Sequence, residues 1–345
     1  MVKSDNNTIA DRIDTWFLNH QKVVFLLLIL LFTIIEIRII NEIHIIHYNF
    51  ERLVLVGEGA LRGMPSYRAF QNRLLGSILV KAISIITGLS FRAASKFFIY
   101  ATLFLSNFLC FFLFSDLTRS KKSALKYTFY FIVIFIAMQH YKYIILFDFP
   151  ELIIALLFAY GVFKNKGLGY FLPVFLIGIV NKESSLFICL WLIINEVLLI
   201  PGFPFIQIKH KLPFAAGWLL AGIGIAYTKL SRDLLFKKSI IEEVGQDSAH
   251  KVYGNHIRLM DNLKELFYHN ITSTNIIVTV FLLTLIGFII YLNLKYKEKF
   301  IIRLSILMLI MITSNVVFGV VNETRIYFYL IPFILMLVNY YNKNL

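Results

Sequence analysis

Three short stretches mix acids and bases between apolar runs that leave them almost no loop length: Asp148-Phe149-Pro150-Glu151, Asn181-Lys182-Glu183 and Asn322-Glu323-Thr324-Arg325. A fourth and longer one, 41–73, carries Glu42, His44, His47, Glu51, Arg52, Glu58, Arg62, Arg68 and Arg73. Arginine grips a phosphate or diphosphate through a planar fork of donors, and lysine acts as a point charge. A carboxylate within reach of a hydroxyl can take its proton. The cations that hold a phosphate also stabilise the charge that grows on it as it leaves. Acid and base together therefore suit chemistry on phosphorylated, hydroxyl-rich substrates.

Each stretch also has a plainer reading. Asp148 and Glu151 suit the start of a helix, where the dipole favours carboxylates, and Pro150 fits its first turn. Lys182 and Glu183 could form an ordinary turn, and Glu323 could pair only with Arg325. His44 and His47, three apart with Glu42 nearby, read as an interfacial pair rather than a metal site. Gly57-Glu58-Gly59 reads as a flexible turn with one carboxylate. Two N-x-[ST] matches, at Asn270 and Asn322, are short enough to arise by chance. The joint pattern is stronger than any member, because each of the four connections mixes acid and base.

The elements that position these residues follow from composition. Of 345 residues, 59% are hydrophobic and only 16% charged, and the mean hydropathy is +0.75. A water-soluble fold could not hide so much apolar surface, so the expected solvent is lipid. A soluble enzyme and a disordered regulator are excluded. The apolar residues run continuously instead of alternating, which argues against a membrane β-barrel. The two cysteines, Cys110 and Cys189, sit inside apolar runs and offer neither a disulfide framework nor a metal motif.

After a polar segment, 1–22, an apolar run from Val23 to Ile40 is too long for a signal-peptide core and reads as a retained first span. Further runs lie near 74–89, 97–117, 127–146, 149–163, 167–180, 184–201, 213–229, 275–294, 301–320 and 326–340. Several are shorter than the ~20 residues of a straight span and must borrow flanking rings, which 34 Phe and 18 Tyr can supply. The expectation is one all-α membrane domain, 23–340, of ten or eleven helices, followed by a short tail, 341–345.

Net charge is +14, from 34 Lys and Arg against 20 Asp and Glu. In a membrane protein this excess reads as positive-inside loops and anionic lipid, not nucleic acid. Basic clusters at 119–126, 164–166, 209–211 and 295–303 are separated by even numbers of apolar runs, so all four fit the cytoplasmic side together with both termini. The mixed stretches then face outward, as does 230–273, whose six basic and six acidic residues balance. This parity works if 74–89 lies in the interface or re-enters. Ser77, Lys81 and Ser84 place a polar stripe along that run. Ten crossings are therefore preferred.

At these residues the chain resembles the polytopic GT-C-type glycosyltransferases of bacterial envelope-glycan assembly and their polymerase relatives. The resembling pieces are an outward loop ending in Pro65-Ser-Tyr67-Arg68-Ala-Phe-Gln-Asn72-Arg73, then Asp148-x-Pro-Glu151, Asn181-Lys182-Glu183-Ser184 and Glu323-Thr324-Arg325. The resemblance implies a bacterial inner-membrane enzyme that takes sugar from a polyprenyl-phosphate or polyprenyl-diphosphate carrier and passes it to a glycan acceptor. It implies Glu58 or Glu42 as the base, and Arg68, Arg73, Lys182 and Arg325 as phosphate ligands. Asp148, Glu151, Glu183 and Glu323 would be the acids of the site. Unlike many such enzymes, this chain has no Asp-x-Asp, no Asp in its first outward loop and no large soluble domain after the last span. No cofactor is assigned from the sequence, and a divalent cation is the one left open. The competing readings are a polymerase of O-antigen or capsule repeat units, and a flippase or secondary transporter. A transporter should show internal repeats or paired broken helices, and neither is visible.

Overall fold

The computed structural model describes residues 21–42, 50–66, 70–140, 145–198, 207–238, 257–268, 273–319, 321 and 323–343. These residues form an all-helical structure apart from one two-residue antiparallel ladder, β1 (Val197–Leu198) with β2 (Gln207–Ile208). In chain order the helices are α1 (Gln21–Ile40), α2 (Phe50–Leu61), α3 (Leu75–Thr87), α4 (Phe91–Thr118) and α5 (Lys121–Ala137). Then come α6 (Asp148–Phe163), α7 (Leu168–Asn181), α8 (Leu186–Glu196), α9 (Lys211–Leu235) and α10 (Leu259–Phe267). The last three are α11 (Ser273–Tyr296), α12 (Lys299–Phe318) and α13 (Leu330–Lys343).

Among the described residues, five helical stretches are long and apolar enough to cross a membrane: Val23–Ile40, Phe91–Thr118, Lys211–Leu235, Ile276–Tyr296 and Lys299–Phe318. Their surfaces sort by helical period. On α1, Leu26, Leu27, Leu30, Leu31, Ile34 and Ile35 are exposed, while Ile29, Thr33, Glu36 and Ile40 form the buried stripe. An apolar outer face needs a solvent that helices tolerate, because they satisfy their backbone internally. Helices α5, α6, α7, α8 and α13 have 17, 16, 14, 11 and 14 residues and supply much of the core. Rings lock it: Phe158 meets Phe333 edge-on at 5.1 Å, and Phe135 meets Phe328 at 4.9 Å.

The four basic clusters gather at one end of the bundle. Lys164 and the Tyr160 hydroxyl both bind Asp116, at 2.6 and 2.8 Å, just before the cluster at 119–126. Arg303 donates to the Val197 carbonyl at 3.0 Å, and the Lys209 amide donates to the Glu196 carbonyl at 2.8 Å. Phe300 packs on Phe163 and Trp191.

The opposite end is where α3, α4 and α6 all begin. Gly57 of α2 lies against Leu146 and Phe91, and Gly76 of α3 lies against the Leu146 backbone. The Leu74 amide donates to the Val180 carbonyl at the end of α7, at 2.9 Å. The starts of α3 and α4 therefore both lie near Leu146, with only residues 88–90 between the end of α3 and the start of α4. At Gly76 a Cβ would stand 2.7 Å from the Leu146 carbonyl oxygen, so only glycine allows this approach.

Two local expectations are corrected. Gly57-Glu58-Gly59 is not a turn but part of α2. Phe50, Leu53, Val56, Gly57 and Ala60 bury one helical face, and Gly57 lets it sit close to Leu146 and Phe91. The stretch after 229 is not loop at its start, because α9 continues to Leu235 and carries Arg232 in its last turn. That end meets the turn after α2, where the Lys237 amide donates to the Gly63 carbonyl at 2.8 Å.

Candidate functional site

The site is a charged cluster where α3 and α6 begin and α7 and α9 end. Phe147 stands at its centre, buried, with Phe70 edge-on to it at 5.4 Å. The Arg73 guanidinium carbon lies 4.7 and 4.8 Å from the centres of these two rings, and that of Arg325 lies 5.8 and 5.9 Å away. The Lys182 ammonium is 6.0 Å from Phe147. Two arginines from distant parts of the chain thus share one aromatic pair, with Lys182 near Phe147, and ring faces attract positive charge.

The carboxylates divide these cations into two groups. In the first, Arg325 Nη1 donates to Asp148 Oδ2 at 3.2 Å, and its Nε and Nη2 donate to Glu323 Oε2 at 3.1 and 2.9 Å. Lys182 Nζ lies 3.9 Å from the other Asp148 oxygen. Asp148 caps no later amide of α6; its Oδ2 instead accepts from the Ile145 amide at 2.9 Å, which fixes the approach to the helix. The Arg325 segment is fastened by Thr324, whose hydroxyl donates to the Met138 carbonyl. Burial opposes the charge on Arg325, yet Glu323 and Asp148 outweigh it and hold the guanidinium above its ordinary pKa.

In the second group, Arg73 Nε donates to Glu183 Oε2 at 3.0 Å, and Arg232 Nη2 donates to Glu183 Oε1. Arg232 Nε also donates to the Asn72 side-chain oxygen at 3.1 Å. Burial alone would raise the Glu183 pKa, but the two arginines outweigh it and hold it below the usual carboxylate value. Glu151 lies beneath, accepting from Asn181 at 3.2 Å and from the Ser184 hydroxyl. Several buried polar atoms here have no hydrogen-bond partner: Asn72 Nδ2, Asp148 Oδ1, Asn181 Oδ1 and Ser185 Oγ. Such atoms are rare in folded proteins.

The structure thus brings together Arg73, Asp148, Glu151, Lys182, Glu183, Glu323 and Arg325. It does not bring Glu58 into that contact network: Glu58 pairs with Arg62 at 3.7 Å, one turn along α2, and is partly exposed. Glu42 is exposed at the end of α1. Arg68, His44, His47 and Asn322 lie outside the described residues. Among the described residues, no three His, Cys, Asp or Glu side chains come together to hold a metal ion. Asp148, Glu183 and Glu323 each already neutralise a cation, a donor set poorly matched to a divalent ion.

Two groups escape a reading of the sequence. Arg232 is hidden in a helix end that hydropathy cuts short. Glu36 sits in the most apolar run of the chain, fully buried, with its Oε2 accepting from Asn107 Nδ2 at 2.6 Å. The same Asn107 amide donates to the Thr33 hydroxyl at 3.0 Å. The only signal was one acid at a buried helical position.

No known protein family, curated protein or solved structure matches the chain.

Proposed function

We propose that this chain is a polytopic membrane glycosyltransferase of cell-envelope glycan assembly, GT-C-like in plan. In this reading it takes sugar from a polyprenyl-phosphate or polyprenyl-diphosphate carrier on the outer face of a bacterial inner membrane. One observation carries the proposal: four cations and four carboxylates, supplied by connections as far apart as Arg73 and Arg325, meet at one end of an apolar bundle. Ionisable groups beside lipid are costly and mark function by default. A lipid-borne phosphate needs cations next to an apolar medium, and this end supplies both.

The membrane plan that fits is ten crossings, by α1, α4–α9 and α11–α13, with α2, α3 and α10 on the outer side. The basic end then faces the cytoplasm with the N-terminus, by the positive-inside rule. Arg73, Lys182 and Arg325 hold the carrier phosphate and stabilise it as it leaves. Glu58, on the helix beside the cluster, or Glu42 takes the proton of the acceptor hydroxyl.

The test is to extract lipid-linked and surface glycans from a strain lacking the protein. A missing sugar residue supports transfer, and unpolymerised single repeats would move the reading to a repeat-unit polymerase. An unchanged glycan profile overturns both.

A further inference from the structure

Glu36 is fully buried in α1, inside the first stretch able to cross a membrane, and meets Asn107 near the middle of the 28-residue α4. Asn107 Nδ2 donates to Glu36 Oε2 at 2.6 Å and to the Thr33 hydroxyl at 3.0 Å. Thr33 gives its own hydrogen to the Ile29 carbonyl at 2.9 Å. Every donor of the trio is then spent. Two buried acceptors stay without a partner, Glu36 Oε1 and Asn107 Oδ1.

Among the described residues no cation pairs with Glu36, whose bonded side chain is Asn107. The titratable groups that the neighbouring α4 and α5 bury or half-bury are Tyr100, Cys110 and Tyr127, with Lys121 at the basic end, and Arg38 of α1 is exposed. An ionised carboxylate placed here would set one amide bond against a large loss of solvation. A single hydrogen removes both defects. On Oε1 it cancels the charge, and toward the Asn107 oxygen it closes an acid–amide ring with the Nδ2 bond already present.

A polar route leads away from this trio in one direction. The Tyr100 hydroxyl donates to the Asn41 side-chain oxygen at 3.0 Å, and both residues are half-buried. Tyr100 precedes Asn107 on α4 by two turns, about 10 Å. Asn41 follows Glu36 at the end of α1, so the pair lies toward the end of the bundle where α4 begins. In the other direction the seam is aromatic: Phe25 meets Phe111, and Phe32 meets Phe129, each at 5.7 Å.

We infer that Glu36, Asn107 and Thr33 form a binding site for one proton within the apolar bundle, exchanging past Tyr100 and Asn41. Uptake makes an O–H bond at Glu36 Oε1, removes one negative charge from the site and leaves a hydronium ion of the medium as water. Release returns the proton to water at the same end. The site shares no residue with the charged cluster and does not rest on the transferase reading.

The test is infrared spectroscopy of the full-length protein in liposomes. Wild type should show a protonated-carboxyl stretch that Glu36→Gln lacks. That band should shift in deuterated medium, and it should fall about tenfold for each pH unit above its titration midpoint. Tyr100→Phe should slow the deuterium shift severalfold. Should Glu36→Gln misfold, Glu36→Asp keeps the acid and should move the band instead of removing it. A spectrum that neither substitution changes overturns the proton site. A band indifferent to deuterium and alkali marks a sealed acid and overturns exchange, and an unchanged rate in Tyr100→Phe overturns the route.

Discussion

Arg325 and Asp148 stand 177 residues apart in the chain and 3.2 Å apart in space. That bond ties the segment before the last helix to the first turn of α6, and both partners are buried. Removing one partner of a buried pair leaves an uncompensated charge and costs about 3–5 kcal/mol. Asp148→Ala should therefore lower the melting temperature sharply. Arg325→Lys keeps the charge but loses the fork. On the proposed transferase reading it should express and insert near normally yet lose most glycan assembly. Full assembly in Arg325→Lys would show that no phosphate is gripped there.

The two ends of the bundle should be chemically distinct. Cysteine in place of Lys122, within a basic cluster, and of Lys264, exposed on α10, should react with impermeant reagents from opposite sides of the membrane. The native Cys110 and Cys189 are buried and give little background. Labelling of both positions from one side would refute the arrangement.

Acid should loosen the Glu183 clamp. Its pKa is held below the ordinary value by Arg73 and Arg232 against the effect of burial. A depressed carboxylate adds stability above its unfolded pKa, about 4.3, and that contribution is lost as pH falls through the folded value. The difference in melting temperature between wild type and Glu183→Gln should be constant near neutrality and shrink below about pH 4. A difference that grows with acid would reverse the sign of the argument.

Glu36 and Asn107 should behave as a unit. Asn107→Leu strands the buried carboxyl and should cut the yield of folded protein severalfold. Adding Glu36→Leu removes the stranded group too and should restore most of the yield. Failure of that rescue in a double-mutant cycle would mean that Glu36 is needed for something other than Asn107.

Much of this was legible in the sequence, for physical reasons. Long apolar runs can only be helices in lipid, so the run from Val23 to Ile40 and those near α9, α11 and α12 could be read directly. Asp148, Lys182 and Arg325 announced themselves because charges trapped between helices have few places to go. The local pair of Glu323 with Arg325 could be read as well, but long-range pairs such as Arg325 with Asp148 or Arg232 with Glu183 were not legible, since they are set by how helices pack. Gly57 and Gly59 misled, because glycine marks turns as well as close helix approach. Glu36 was overlooked because one acid barely changes the hydropathy of a span.

The unequal lengths of the helices have an electrical consequence. Helix α4, with 28 residues, is about 42 Å long, whereas α6 and α7, with 16 and 14, reach only about 24 and 21 Å. On the proposed membrane plan the apolar layer beside the cluster is therefore thin, and a membrane voltage falls across it more steeply than across the surrounding bilayer. Moving one elementary charge through a full 100 mV is worth about 2.3 kcal/mol. A carrier phosphate held by Arg73, Lys182 and Arg325, as proposed above, would traverse part of that drop, so the same residues should hold it differently in an energised cell and in a depolarised vesicle.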